Sequence, residues 1–471
     1  MTEPLVPHDY QAHGVQWLLE RPRAALWWWM GLGKTIAVLL GLWHLWDRGQ
    51  LGRVLIVAPP RVAHRVWPRE IEKWPEFRAF ASSYTLLRGA NWREKAVHDK
   101  AMIHICGFSQ LATRTIRDHE GDIVRVDRGL VDLHGTQWPY DTVIFDEASM
   151  LKNSTTSRYK AIRKVADRCR RMIHLTGTPG SNGLADLWGQ MNLIVPGLLG
   201  RTLGDFRNRW FRPAGNGFGY EPMPHALREI TELCRPYAMS LDQGRYLDLP
   251  PVTHNRVMVD LPAPAMAQYR EFEKQMFLAL EARERGEVIV EAANAGVLTG
   301  KCRQVANGFL YTDPDPDNHD WHPLHTAKFE ALDEIIEEAA GEPLIVAYAF
   351  RADLERLRRR YPHARTLSRN GAELDPFMRG QIPILLIHPA SAGHGIDGMQ
   401  HACHQLAFFG EPWSLEQYLQ TVGRIDRQGQ PHPVQVHHIV AAGTVDDRIS
   451  AALIEKKDVL DALLESVRHA A

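Results

Sequence analysis

The sequence predicts an α/β fold: two parallel-sheet lobes separated by a mainly helical insertion. Three observations predict it. Short apolar runs rich in Val, Ile and aromatics alternate with helical patterns over the first 200 residues. The alternation lapses between about 197 and 320, where Gly/Pro-rich turns and amphipathic stretches such as 263–284 take over. It then returns through the last third of the 471-residue chain. We therefore expect domains at 1–200, 201–324 and 325–471.

The candidate strands of the first lobe are 24–29, 54–58, 102–106, 142–145 and 172–176. Most end at Gly, Pro, Ser, Thr or an acidic residue, and ligands of an open parallel sheet bind outside such carboxyl ends. In the second lobe the expected strands are 344–349, 384–388, 405–409 and 434–440.

Composition narrows the class. Hydrophobic residues make up 45% and charged residues 24%, ordinary globular usage that excludes wholesale disorder. Five scattered cysteines without a C-x-x-C pair argue against a disulfide framework or a cysteine zinc site. No basic and apolar leader opens the chain, so no secretory signal is visible and a cytoplasmic location is expected. Residues 24–46 carry one full charge, Lys34, and are nearly long enough to span a bilayer, but Gly31, Gly33 and Lys34 fit a phosphate loop better. Residues 1–200 hold 26 Lys+Arg against 19 Asp+Glu, whereas both later segments are net acidic, so a polyanionic partner is permitted but not demanded.

The sharpest local signal is Met30-Gly31-Leu32-Gly33-Lys34-Thr35, after an expected strand and before an expected helix. Glycines there let backbone N–H groups close around phosphates, the lysine reaches the β/γ-phosphates and the threonine hydroxyl ligates Mg²⁺. The strict pattern wants glycine where Trp28 stands, so the loop is a variant. Asp146 and Glu147 end an apolar strand about 110 residues on, a placement that suits one carboxylate to the Mg²⁺ shell and the next to water activation. Thr176-Gly177-Thr178-Pro179 ends the next strand. In the far lobe Gln420 precedes Arg424 and Arg427, which at three residues apart on a helix would share a face and suit the charge of a transferring phosphoryl group.

These motifs, in this order, resemble the Swi/Snf-type DNA-dependent ATPases of helicase superfamily 2. The resemblance covers nearly the whole chain and implies two RecA-like domains. Tyr10 and Gln11, in HDYQ followed by GVQWLL, resemble the adenine-recognising segment, and MGLGKT at 30–35 resembles motif I. Val57-Ala58-Pro59 with Trp67 and Lys73-Trp74 resembles motif Ia, and LTGTPGSNGLADLWGQMNLIVPGLLG at 175–200 is the nearest single match. Leu249-Pro250-Pro251 with the strand after it, the Tyr269 helix and Lys301-Cys302-Arg303-Gln304 resemble the inserted helical region.

By that resemblance Tyr10, Gln11, Gly31, Leu32, Gly33, Lys34, Thr35, Gly395 and Asp397 bind ATP. Thr35 and Asp146 hold Mg²⁺. Lys34, Asp146, Glu147, Gln420, Arg424 and Arg427 carry catalysis, and Pro59, Arg61, Thr178 and Ser391 contact DNA. The expected partner is double-stranded DNA, along which a monomeric motor travels. Ser149, His394 and Asp397 depart from the family pattern, and the chain is about as long as the motor alone, with no bromo-, chromo- or SANT-like module expected. Three alternatives stay open: a strand-separating helicase, which needs a wedge hairpin that 197–320 does not reveal; an ATP-gated module recruiting a nuclease; and an RNA remodeller.

Two further clusters are ambiguous. Arg356, Arg358, Arg359 and Arg360 suit either a phosphate backbone or a solvated helix face, and the latter is commoner. His319, His322 and His325 have a tempting metal spacing but sit beside Asp-Pro repeats in an expected loop. The run Trp27-Trp28-Trp29 is expected in strand core, with nucleotide packing of one ring the alternative.

Overall fold

The computed structural model describes residues 4–118, 122–214, 220–241, 243–246, 248–284, 290–312, 320–368, 370–392 and 398–468. Two compact units are present: Met1–Leu247 with Asp458–Ala471, and Asp248–Lys457.

The first unit is built on a seven-stranded sheet. Across it run Ala238–Ser240, Arg23–Trp27, Arg171–Leu175, Thr142–Asp146, Val54–Ala58, Ile103–Gly107 and Tyr84–Leu86. Every pairing is parallel. Val54–Ala58 (VLIVA) is buried along its whole length, with Ile56 opposite Ile105 on one side and Ile144 on the other. A continuous apolar run of this kind is what a strand covered on both faces requires. Helix Lys34–Asp47 buries Ala37, Val38, Leu39 and Leu42 within the same unit. The residues after 457 return here: a Cβ on Gly180 would lie 3.0 Å from the Leu463 side chain, and Arg468 bridges Ser240 at the sheet edge.

The second unit is a six-stranded parallel sheet in the order Val252–Val259, Val434–Ala441, Gln405–Phe408, Leu344–Ala347, Ile384–Ile387 and Arg365–Thr366. Helix Ala327–Glu338 packs Phe329, Leu332 and Ile335 into the core with Val346, Leu386 and Phe409.

The expected strands are present with ends shifted by a few residues. The first stops at Trp27 because the carbonyls of Trp28 and Trp29 accept from Lys34 Nζ instead of a neighbouring strand. The 201–324 segment does contain the expected helices, Leu203–Trp210, Ala226–Cys234, Ala263–Glu284 and Val290–Asn307. It does not form a body of its own. Ala238–Ser240 hydrogen-bonds to the first sheet and Val252–Val259 to the second, so the compact units divide at 247/248, inside the segment.

Candidate nucleotide site

In the first unit the phosphate loop lies between Arg23–Trp27 and helix Lys34–Asp47. Gly31 (φ 86°) and Gly33 (φ 72°) both take left-handed backbone, which a side chain would strain, and Gly33 caps the helix. Lys34 is the first helical residue, with Nζ 2.9 Å from Trp28 O and 3.2 Å from Trp29 O. Thr35 follows on the same turn and Leu32 is fully buried.

Helix Asp9–Glu20 locks onto this loop. Gln11 is buried, with Nε2 3.4 Å from Leu32 O and Oε1 accepting from His8 N–H at 3.0 Å. A Cβ on Gly33 would lie 2.2 Å from Gln11 Nε2, so a side chain there would displace the glutamine amide as well as strain the backbone. Tyr10 meets Trp28 edge-on with centroids 6.0 Å apart and lies 4.8 Å from the Tyr246 ring. Trp28 is wholly buried because Gly14 leaves room: a Cβ there would lie 2.3 Å from its ring. Trp27 and Trp28 are thus core.

Asp146 closes its strand two positions along the sheet from the loop strand and is 7% exposed. Burial raises its pKa; the Lys34 charge, the Trp67 indole donating to Oδ2 at 2.9 Å, and the Glu147 N–H oppose that rise. Glu147 has φ 64° and ψ 56°, one of only two non-glycine residues with positive φ among the described residues. Behind the loop, a Cβ on Gly177 would meet Trp28 O at 3.2 Å, which packs the 175–180 turn against the loop backbone.

The indole makes a prediction. Trp67→Phe keeps the packing but removes a donor to the ionised carboxylate, so Asp146 must titrate higher than in the parent. If ionised Asp146 is needed for turnover, activity is lost at a higher pH on acidification. A pH–rate profile for ATP hydrolysis should show the acid limb displaced upward and little change near pH ~8; superimposed limbs would refute it.

Other expected site residues fall differently. Thr178, expected on DNA, is 3% exposed; its N–H donates to Thr176 Oγ1 at 3.1 Å and its hydroxyl is buried. It offers no surface to a duplex, because the turn folds it inward. Pro59 is also buried, its carbonyl accepting from Ala63 N–H at 2.9 Å at the start of a π-helical turn, Val62–Val66. Arg61 is half-buried at the same turn, and burial together with the Arg65 charge lowers its pKa.

In the second unit Arg424 and Arg427 are not on a helix. Leu415–Val422 ends at Gly423, and Arg424 and Ile425 begin a run of three-residue turns in which Arg424 N–H bonds to Thr421 O. Gln430 pins that run by donating to Cys403 O and Ile425 O, and Gly429 (φ 92°) lies where a Cβ would strike His401. Arg424 is 9% exposed and its Nε donates to the backbone carbonyl of Gln420 at 3.2 Å. Ser391 is exposed, its hydroxyl donating to His388 O. Gly395 and Asp397 lie outside the described residues.

The arginine run of helix Arg351–Arg360 divides. Arg356 is buried and donates to Asn307 O and His325 O, Arg360 pairs with Asp333, and Arg358 reaches Thr366 Oγ1. It is neither a uniform solvated face nor a continuous basic track. His325 is buried against Val305 O, His322 is exposed, and His319 lies outside the described residues. Among the described residues no group of three or more His, Cys, Asp or Glu could hold a metal, and no helix is long and apolar enough to cross a membrane.

A lysine opening a helix after a glycine loop, with a buried carboxylate ending a strand of the same parallel sheet, is the arrangement of a P-loop nucleotide site. Residues 10–307 match the SNF2-related domain, and the chain belongs to that family. Over 479 residues it is 36% identical to “Putative protein p41” of Acyrthosiphon pisum secondary endosymbiont phage 1, covering 98% of this chain and 99% of that one. It is 24% identical to “Putative ATP-dependent helicase/translocase YwqA” of Bacillus subtilis, covering 97% of this chain but only 48% of that one. Among solved structures, the Sulfolobus solfataricus SWI2/SNF2 ATPase core in complex with dsDNA is similar at 20% identity and a TM-score of 0.44, covering 98% and 93% of the two chains. The chain is an ATPase of helicase superfamily 2 with two RecA-like domains.

Proposed function

We propose that this ATPase is DNA-dependent and couples ATP hydrolysis to translocation along double-stranded DNA, remodelling DNA or its protein complexes in the cytoplasm of a bacterial or phage-infected cell. The observation that carries the reading is the glycine loop whose helix opens at Lys34, after one strand of the parallel sheet, with buried Asp146 ending another strand of that sheet, in a chain matched over 10–307 by the SNF2-related domain. Tyr10 and Gln11 hold the base, the N–H groups of Gly31, Leu32 and Gly33 surround phosphates, and Lys34 leaves its two carbonyl partners for the β/γ-phosphates. Thr35 and Asp146 are hard oxygen donors of the kind Mg²⁺ prefers, and would hold it with retained waters. Bound there, the ion would neutralise phosphate charge. Glu147 takes the proton of the attacking water. Arg424, whose Nε donates to the Gln420 carbonyl, and Arg427 stabilise charge developing on the phosphoryl group, for which such arginines contribute ~10³–10⁵ in rate. Arg61 and Ser391 contact the DNA backbone.

The test is ATP turnover with no nucleic acid, single-stranded DNA, duplex DNA and RNA. Duplex DNA should stimulate most, and Lys34→Ala should lose on the order of 10²–10³-fold. No stimulation by any nucleic acid would remove the reading, and greater stimulation by RNA would reverse its substrate. Separation of a forked duplex would instead establish a helicase.

A further inference from the structure

Three rings gather at the base end of the nucleotide site. Tyr10 lies parallel to His8, with centroids 5.4 Å apart and 7° between the planes, and 4.8 Å from Tyr246 at 43°. Aromatic pairs attract at such separations. Tyr10 is 4% exposed, and burial raises the pKa of its phenol. Gln11 beside it is 6% exposed. The two residues placed on adenine therefore offer a ligand very little surface. Tyr246, by contrast, is only half-buried.

The sheet explains how Tyr246 arrives there. Strand Ala238–Ser240 runs parallel beside Arg23–Trp27, with Ser240 opposite Trp27. Both strands leave the sheet at its carboxyl edge, where open parallel sheets bind their ligands. From Trp27 the chain passes into the phosphate loop, and from Ser240 into the short helix Gln243–Tyr246. The exit is anchored: Ser240 is 1% exposed and bridges Arg468, and Leu241 is buried.

His8 already has another task. It precedes helix Asp9–Glu20 as the N-cap, and its backbone N–H donates to Gln11 Oε1 at 3.0 Å. Its ring lies flat on Tyr10, so the pair is closed as a stack. The first compact unit ends at Leu247, so Tyr246 belongs to the last residues before the chain passes to the second.

We propose that Tyr246 is the stacking residue of the nucleotide site: the adenine ring lies against it, Tyr10 supports it from beneath, and Gln11 supplies the hydrogen bonds that choose the base. The inference rests on the reading above that puts the base at Tyr10 and Gln11. Losing one base–aromatic stack costs roughly five- to a hundredfold in affinity, and stacking tolerates any base because every base has a π-face. Affinity is thus the property that Tyr246 controls.

Two variants test it. Tyr246→Leu keeps apolar packing on Tyr10 and removes the π-face; Tyr246→Phe keeps the ring and removes the hydroxyl. Steady-state ATP turnover is measured beside competitive inhibition by Mg²⁺-tripolyphosphate, which has no base. Tyr246→Leu should raise KM for ATP about tenfold with little change in kcat, the pattern of lost binding shared by ground and transition states. Tyr246→Phe should restore the KM, and Ki for tripolyphosphate should be the same in all three proteins. A merely structural role would move KM and that Ki together. Either that result or an unchanged KM in Tyr246→Leu overturns the inference.

The wild type gives an independent reading should Tyr246→Leu misfold. Photolabelling with 2-azido-ATP followed by tryptic digestion should leave label in the peptide 246–256, bounded by Arg245 and Arg256. Label absent from that peptide and confined to residues 1–23, which hold His8 and Tyr10, overturns the inference. The supporting reading fails separately. If ATP binds the wild type no better than tripolyphosphate, there is no base end at Tyr10 and Gln11, and Tyr246 falls with it. If Gln11→Ala loses the advantage of ATP over tripolyphosphate while Tyr246→Leu keeps it, only the Tyr246 assignment is lost.

Discussion

Glu147→Gln is expected to lower ATP turnover by about 10²–10⁴-fold while nucleotide affinity holds, because the amide keeps the shape and cannot accept the proton of the attacking water. The backbone sharpens this expectation. Glu147 occupies the left-handed region at φ 64°, a conformation that costs a non-glycine residue on the order of 1–3 kcal/mol. Nothing about a strand ending in Asp146 demands a long side chain at that position, and glycine would hold it without strain. Glu147→Gly should therefore raise the stability of the first unit by up to about 1 kcal/mol, less than the full strain because glycine gains entropy when unfolded. It should abolish turnover as thoroughly as Glu147→Gln. Steady-state phosphate release, nucleotide titration and thermal unfolding of the same three proteins would check it. A Glu147→Gln protein with wild-type turnover would exclude the carboxylate as base.

The contrast between what could be read in the sequence and what could not is physical. Val54–Ala58 and Thr142–Asp146 are legible because strands buried on both faces must be continuous apolar runs. The phosphate loop is legible because φ above zero at two positions forces glycine spacing. Trp67 could be placed near the site only as a motif landmark; its bond to Asp146 spans 79 residues and leaves no local trace. Thr178 looked like a surface hydroxyl because a sequence does not tell which way a post-strand turn folds. For Arg424 and Arg427 the three-residue spacing suggested a helix face. Gly423 was the visible stop signal, while the Gln430 bond to Cys403 O that fixes the turns is long-range. Strands Arg114–Arg117 and Ile123–Asp127, which pair with each other outside both main sheets, carried a signal in their β-branched residues, but these are exposed on both faces and so show no core-facing alternation.

Lys328→Met should destabilise the second unit by about 3–5 kcal/mol, the cost of leaving a buried partner charge unpaired. Lys328 is 1% exposed, and its ammonium serves three acceptors: Asp446 at 2.6 Å, Asn307 Oδ1 at 2.8 Å and Phe409 O at 3.2 Å. Methionine fills similar volume and satisfies none of them. Asn307 also donates to Asp353 at 2.9 Å, and Asp353 caps helix Arg351–Arg360 by accepting from the Phe350 N–H. Burial pushes the Asp353 carboxyl up to about 6, against the pull of the Phe350 N–H, Lys328 and Arg356. Its folded pKa therefore lies above its unfolded value. The folded state takes the proton first, so the penalty of ionising Asp353 is present above about pH 6 and is relieved as pH falls from there toward the ordinary carboxylate range. Without Lys328 the carboxyl must rise further, and the loss of stability should be larger at pH ~7.5 than at pH ~5. Urea denaturation of wild type and variant at the two pH values reads both effects. A loss below about 1 kcal/mol with no pH dependence would mean that water reaches Asp446 and Asp353 once the lysine is gone, because only solvation could replace three bonds to an ammonium in so closed a place.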